Sequence, residues 1–215
     1  MENNILELVF ILDRSGSMGG LEKDTVGGFN SMIEKQKQLE GKVFVSTVLF
    51  NHKYKLLHDR KLIDEIVPMK ESEYETDGWT ALLDAVGNSI THISNIHKYL
   101  RKEDVPSKVM FVITTDGLEN ASNEFNKKTV KKMIEDKQRE GWEFLFVGAN
   151  IDAVETAEDY GINTENAVNY HADTEGTDVL YKTVSSAVEN LQKTGKINNN
   201  WSLNIKKDFE KRKNN

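Results

Sequence analysis

Cysteine is absent from all 215 residues. That excludes thiolate zinc and iron–sulfur sites and a cysteine nucleophile, and it leaves no sign of an oxidising compartment. Long apolar runs are also missing. None approaches the ~20 residues needed to cross a bilayer, so no membrane partner is expected. The N-terminus, Met1-Glu2-Asn3-Asn4, has no basic stretch. The run from Ile5 to Leu12 is interrupted by Glu7 and ends at Asp13, where a cleaved leader would end in small residues. No signal peptide is therefore expected, and a cytoplasmic location is. No Pro/Gly/Ser-rich linker and no internal repeat divides the chain. The glycines at 16, 19 and 20 do not make the Gly-x-x-x-x-Gly-Lys phosphate loop. The five histidines show no His-x-x-x-His pair, and His92 and His97 fall on different faces of a helix, so a transition-metal site is not expected.

What remains is an ordinary globular composition, with 38% hydrophobic residues and 14 glycines. A chain of this length buries roughly 70% of its unfolded surface, enough for a core without disulfides or a structural metal. Acidic side chains outnumber basic ones 35 to 28, a formal charge of −7. That acidity argues against nucleic-acid binding by the molecule as a whole. One folded domain over residues 1–193 is expected. Residues 194–215 change character, with Asn198 to Asn200 in a row and basic residues at 206, 207, 211, 212 and 213, and read as a basic C-terminal extension with helical potential.

Four short apolar runs read as strands: Leu6 to Leu12, Val43 to Phe50, Val109 to Thr115 and Phe144 to Ala149. Three are nearly continuous, the pattern of parallel strands covered on both faces. Between and after them, apolar residues recur at helical spacing: Val26, Phe29, Met32 and Ile33, with Gly41 available to close that helix; Leu82, Val86, Ile90, Ile93 and Leu100; Val130, Met133 and Ile134; and Val179, Leu180, Val184, Val188 and Leu191. Tyr54 to Leu57 is expected to be a short antiparallel edge strand, hairpinned to the run before it, and residues 58–78 a polar surface excursion. The fold class is α/β, a doubly wound, Rossmann-like, mostly parallel sheet with one antiparallel edge strand and helices on both faces.

Asp13, Ser15 and Ser17 leave the carboxyl end of the first strand, where doubly wound sheets bind ligands. Thr114-Thr115-Asp116-Gly117 puts a second carboxylate at the same kind of position, and Asp77-Gly78-Trp79-Thr80 brings a hydroxyl to the start of the long helix. If the first and third runs are neighbours, five oxygen-bearing side chains converge: Asp13, Ser15, Ser17, Thr80 and Asp116. All are hard donors suited to Mg²⁺, and Mn²⁺ or Ca²⁺ also accept such ligands. Taken singly, Asp116-Gly117 reads equally as a turn and Thr80 equally as a helix cap. Trp79 reads equally as an exposed aromatic anchor for a partner and as a residue packed on the start of its own helix. Trp142 and Trp201 read as packing residues.

These residues resemble the von Willebrand factor A domain, whose metal-ion-dependent adhesion site carries Asp-x-Ser-x-Ser, then a distant Thr, then a distant Asp. Asp13, Ser15 and Ser17 match the first element, Thr80 in Gly78-Trp79-Thr80-Ala81-Leu82 the second and Asp116 the third, over roughly residues 5–192. The chain looks like an intracellular bacterial or phage relative. The resemblance implies direct coordination by Ser15 and Ser17, a direct or water-mediated role for Thr80, and largely water-mediated roles for Asp13 and Asp116. It also implies a protein partner that supplies a carboxylate, and no chemical turnover. Two other functions stay open on the residues alone: a magnesium-dependent phosphohydrolase using Asp13, and a nucleic-acid accessory protein using the basic extension.

Overall fold

The computed structural model describes residues 4–212. Six strands form one sheet: β1 (Ile5–Asp13), β2 (Lys42–Phe50), β3 (Tyr54–Leu62), β4 (Lys108–Thr115), β5 (Trp142–Gly148) and β6 (Ala167–Asn169). Their spatial order is β3-β2-β1-β4-β5-β6. Every neighbouring pair is parallel except β2 with β3. The helices are α1 (Glu22–Gln36), α2 (Leu82–Tyr99), α3 (Lys127–Arg139), α4 (Ala153–Asp159), α5 (Thr174–Thr194) and α6 (Leu203–Arg212).

The central strand shows why the sequence runs are continuous. All nine residues of β1 are buried, because helices cover the sheet on both sides. Leu6, Leu8, Phe10 and Leu12 pack with Val26, Phe29, Leu180, Val184 and Ile205 from α1, α5 and α6. Val9 and Ile11 face Leu82, Val86, Val130 and Ala153 from α2, α3 and α4. Adjacency of β1 and β4, in a register that pairs Leu12 with Thr114, brings their carboxyl ends together.

Several expectations need correction. The edge strand extends to Leu62, well beyond Leu57, and carries an irregularity opposite Val45 to Val48. The following segment is not a polar surface excursion: Ile63, Ile66, Met69 and Tyr74 are buried in the α1–α5 side of the core. Their spacing of three, three and five residues has no strand or helix period, because the chain there crosses the core edge in short turns. Helix α1 ends at Gln36 with Lys37 as its cap. Gly41, at φ +125°, leads instead into β2. Strand β6 and helix α4 were not anticipated; each is too short for a periodic signal. Within residues 194–215, α6 is helical, and Trp201 and Ile205 are buried in the core. Trp142 is likewise buried, as expected of a packing residue. Of the basic residues singled out, Lys206, Lys207 and Lys211 are exposed, whereas Arg212 bonds Asp208 and Asp173. Lys213, like Met1 to Asn3, lies outside the described residues.

Candidate metal centre

Asp13 ends β1 and Asp116 follows β4, so parallel pairing of these strands sets two carboxylates at one end of the sheet. Asp13 is 0% exposed and Asp116 3%. Asp13 is fixed from three sides. Its Oδ1 accepts from the Ser15 amide at 2.7 Å, its Oδ2 accepts from Thr115 Oγ1 at 2.6 Å, and its carbonyl accepts from the buried Tyr74 hydroxyl. Ser15 Oγ and Ser17 Oγ lie 3.1 Å apart, and Ser17 donates to Asp116 Oδ1 at 2.6 Å. Ser17, on the turn Gly16–Met18, is exposed, so the cluster opens to solvent there.

Thr80 enters from the loop before α2. Its amide donates to Asn120 Oδ1 at 2.9 Å, and its carbonyl accepts from the Asn120 amide at 3.0 Å. Two loops distant in sequence are thereby tied together. A methyl group added at Gly117 would lie 3.3 Å from Thr80 Oγ1 and 3.6 Å from Ser17 Oγ. The glycine thus leaves free the space between these hydroxyls. All five oxygen-bearing residues predicted from the sequence meet at this one place.

Electrostatically the cluster is unbalanced. Burial raises the carboxyl pKa of Asp13, against the opposing hydrogen bond from Thr115, and the nearby Asp116 adds to the rise. Burial also raises the pKa of Asp116, against the hydrogen bond from Ser17. Among the described residues no Lys, Arg or His forms an ion pair with either. Arg14 turns its guanidinium to the Glu75 carbonyl at 3.0 Å. Asp116 Oδ2 is buried with no hydrogen-bond partner. A buried, unpaired acceptor beside a second carboxylate and three hydroxyls is a donor set that a hard divalent cation satisfies. Among the described residues no group of three or more His, Cys, Asp or Glu could hold a metal. A cation held here would therefore need the hydroxyls beside the two carboxylates.

Three supporting residues escaped the sequence reading. Thr115 adjoins Asp116 in the motif and could have been recognised as a candidate. Tyr74 and Asn120 lie in loops without periodic signal.

No family model and no curated protein matches the sequence. Solved structures do match the fold. The vWF domain of the type V pili tip protein Mfa5 from Porphyromonas gingivalis aligns with a TM-score of 0.62 at 9% identity, covering 90% of this chain and 98% of that one. The fold is that of a von Willebrand factor A domain. A von Willebrand factor type A protein from Catenulispora acidiphila aligns at 0.54 and 12% identity, covering 85% of this chain and 42% of that one. Proximal thread matrix protein 1 from the mussel byssus, in a structure with a zinc-occupied MIDAS motif, aligns at 0.56 and 14% identity, over 85% of this chain and 45% of that one. This chain thus spans less than half the length of those last two proteins. Among the described residues no helix is long and apolar enough to cross a membrane.

Proposed function

We propose that this vWA domain is a divalent-metal-dependent protein-binding module that captures an acidic side chain of a partner. The observation that carries the reading is the pair of buried carboxylates, Asp13 and Asp116, with no ion pair to either among the described residues and with one oxygen unpartnered. Asp13, Ser15, Ser17, Thr80 and Asp116 would hold the ion, Mg²⁺ in the first instance, with Mn²⁺ or Ca²⁺ accepted by the same oxygen donors. The bound ion would supply an electrophilic position for an incoming carboxylate. Thr115, the Ser15 amide and Tyr74 orient Asp13, while Asn120 fixes Thr80. Ser17 is exposed, and a partner would approach from that side.

No turnover is part of this reading. A phosphohydrolase that used Asp13 as its nucleophile needs a second carboxylate two residues later in the same loop for acid–base work. Two residues on stands Ser15, whose amide is committed to Asp13. Calorimetric titration of metal-free protein with Mg²⁺ tests the proposal, alongside an Asp13→Ala, Ser15→Ala variant. Saturable binding by the parent, lost in the variant, is expected. Absence of binding by the folded parent, or equal binding by the variant, overturns the site.

A further inference from the structure

Seven large hydrophobic side chains are exposed among the described residues. Five are scattered over β3, the segment after it, α2, α4 and α6. The other two, Trp79 at 69% exposure and Leu118 at 63%, sit beside the candidate metal centre. Trp79 directly precedes Thr80. Leu118 follows Gly117, the residue that faces Thr80 Oγ1 and Ser17 Oγ. Scattered single hydrophobics need no explanation, whereas these two lie on the loops that carry Thr80 and Asp116 to one polar site.

Their neighbours in the two loops are held. The Gly78 carbonyl accepts from the Gly16 amide at 3.0 Å, and the Asp77 carbonyl accepts from Asn51 Nδ2 at 2.8 Å. The Ala81 amide donates to the Asn51 carbonyl at 2.9 Å, and Thr80 is tied to Asn120 through both backbone groups. On the other loop, Glu119 Oε2 accepts from the Leu83 amide at 2.8 Å. Trp79 and Leu118 are thus displayed on fixed loops, so a partner that covers them orders little backbone.

We propose that Trp79 and Leu118 form an apolar rim that selects, among carboxylate-bearing partners, a protein segment with apolar side chains adjacent to its acidic residue. This rests on the function proposed above. Charge favours such a segment over a polyacidic tract. Asp13 and Asp116 together with a divalent ion sum to zero, so the site would offer one coordination position but no net positive charge to a run of acids. Discrimination would then fall to the rim, where burying one apolar side chain changes affinity about tenfold.

The test is panning of a random phage-displayed peptide library on the full chain in Mg²⁺, with elution by EDTA, repeated on a Trp79→Ala, Leu118→Ala variant. Mg²⁺ calorimetry on both proteins accompanies it. EDTA-eluted peptides from the parent are expected to carry Asp or Glu with Leu, Ile, Phe or Trp next to it, enriched about tenfold over the input library. The variant is expected to bind Mg²⁺ as the parent does and to recover acidic peptides without that apolar enrichment. Acidic peptides with no apolar bias, or the same bias on the variant, overturn the rim while leaving the metal-dependent function standing. No EDTA-eluted acidic peptide from either protein counts against the function itself. Co-sedimentation of the parent with phosphatidylcholine vesicles, or a Mg²⁺-dependent dimer abolished in the variant, assigns the rim to a lipid surface or a second copy and overturns the proposal.

Discussion

Strand β1 buries a carboxylate near each end, Glu7 and Asp13, both 0% exposed, and the protein treats the two in opposite ways. At the Glu7 end the chain supplies its own cation. Arg60 Nε lies 2.9 Å from Glu7 Oε2, His97 Nε2 lies 3.2 Å from the same oxygen, and the Arg60 guanidinium packs 4.0 Å over the Phe44 ring. At the Asp13 end the chain supplies hydroxyls, an amide and a second carboxylate, with no ion pair among the described residues. Unpartnered oxygens occur at both ends, Glu7 Oε1 and Asp116 Oδ2, so the cation is what separates them. A fold able to neutralise a buried carboxylate at one end of a strand leaves two unneutralised at the other. That difference is why the Asp13 end reads as a binding site and the Glu7 end as part of the scaffold.

The comparison can be broken most severely at Arg60. An Arg60→Ala substitution leaves the Glu7 charge buried without its main partner, and a loss of about 3–5 kcal/mol in urea unfolding is expected, the same with and without Mg²⁺. A loss below about 1 kcal/mol would mean that the pair behaves like a surface bridge and that the contrast is false. Next in size is the response to metal. Mg²⁺ at a hundred times its dissociation constant should stabilise the parent by about 2.7 kcal/mol, a Tm rise of roughly 5–10 °C. Asp116→Asn should abolish that rise. Because burial raises the Asp116 pKa, the folded state holds this proton more tightly than the unfolded one. Ionisation above the ordinary value of 3.8 therefore destabilises the metal-free fold. Metal-free Asp116→Asn should then be at least as stable as the parent at pH 7. A clear loss of stability in thermal melts would show that Asp116 is structural.

The same contrast explains what was legible in the sequence. Asp13, Ser15 and Ser17 sit two residues apart at a strand end. Thr80 precedes a helix with a clear apolar period and Asp116 follows a nearly continuous apolar run, so five of the cluster's residues could be named before any coordinates. Glu7 showed only as a charge interrupting an apolar run. Its partners lie 53 and 90 residues away, and nothing local predicts that Arg60, at φ 44° beside an irregular β2–β3 pairing, turns back to reach it. Tyr74 was hidden for a related reason. It reaches the Asp13 carbonyl from a segment whose buried residues follow tertiary contact and no backbone period.

His58 adds a third way of burying an ionisable group. Burial, helped by nearby Lys61, lowers its pKa, against the opposing influence of Glu73. Its Nδ1 lies 3.0 Å from Thr47 Oγ1, and its ring stacks on Phe29. Below the ordinary value of 6.5 the unfolded chain takes up a proton that the folded chain resists. Stability should therefore fall as pH drops from 6.5 towards the lowered value, by no more than about 1.4 kcal/mol per pH unit for this one proton. Comparing His58→Gln with the parent in urea melts between pH 7 and 5 should show a shallower pH dependence in the variant. Equal slopes would assign the acid sensitivity to other groups.

The smallest expected effect is at Tyr74, which joins the scaffold to the site. Tyr74→Phe removes only the hydroxyl that bonds the Asp13 carbonyl, and about 1 kcal/mol of stability should be lost. If that bond also orients the Asp13 carboxylate, Mg²⁺ affinity should weaken along with stability, by up to about tenfold, as supporting contacts around metal ligands usually do. Unchanged Mg²⁺ affinity in a destabilised Tyr74→Phe protein would show that the Ser15 amide and Thr115 suffice to aim Asp13. The metal end of β1 would then be set by its own loops, independently of the core segment beneath it.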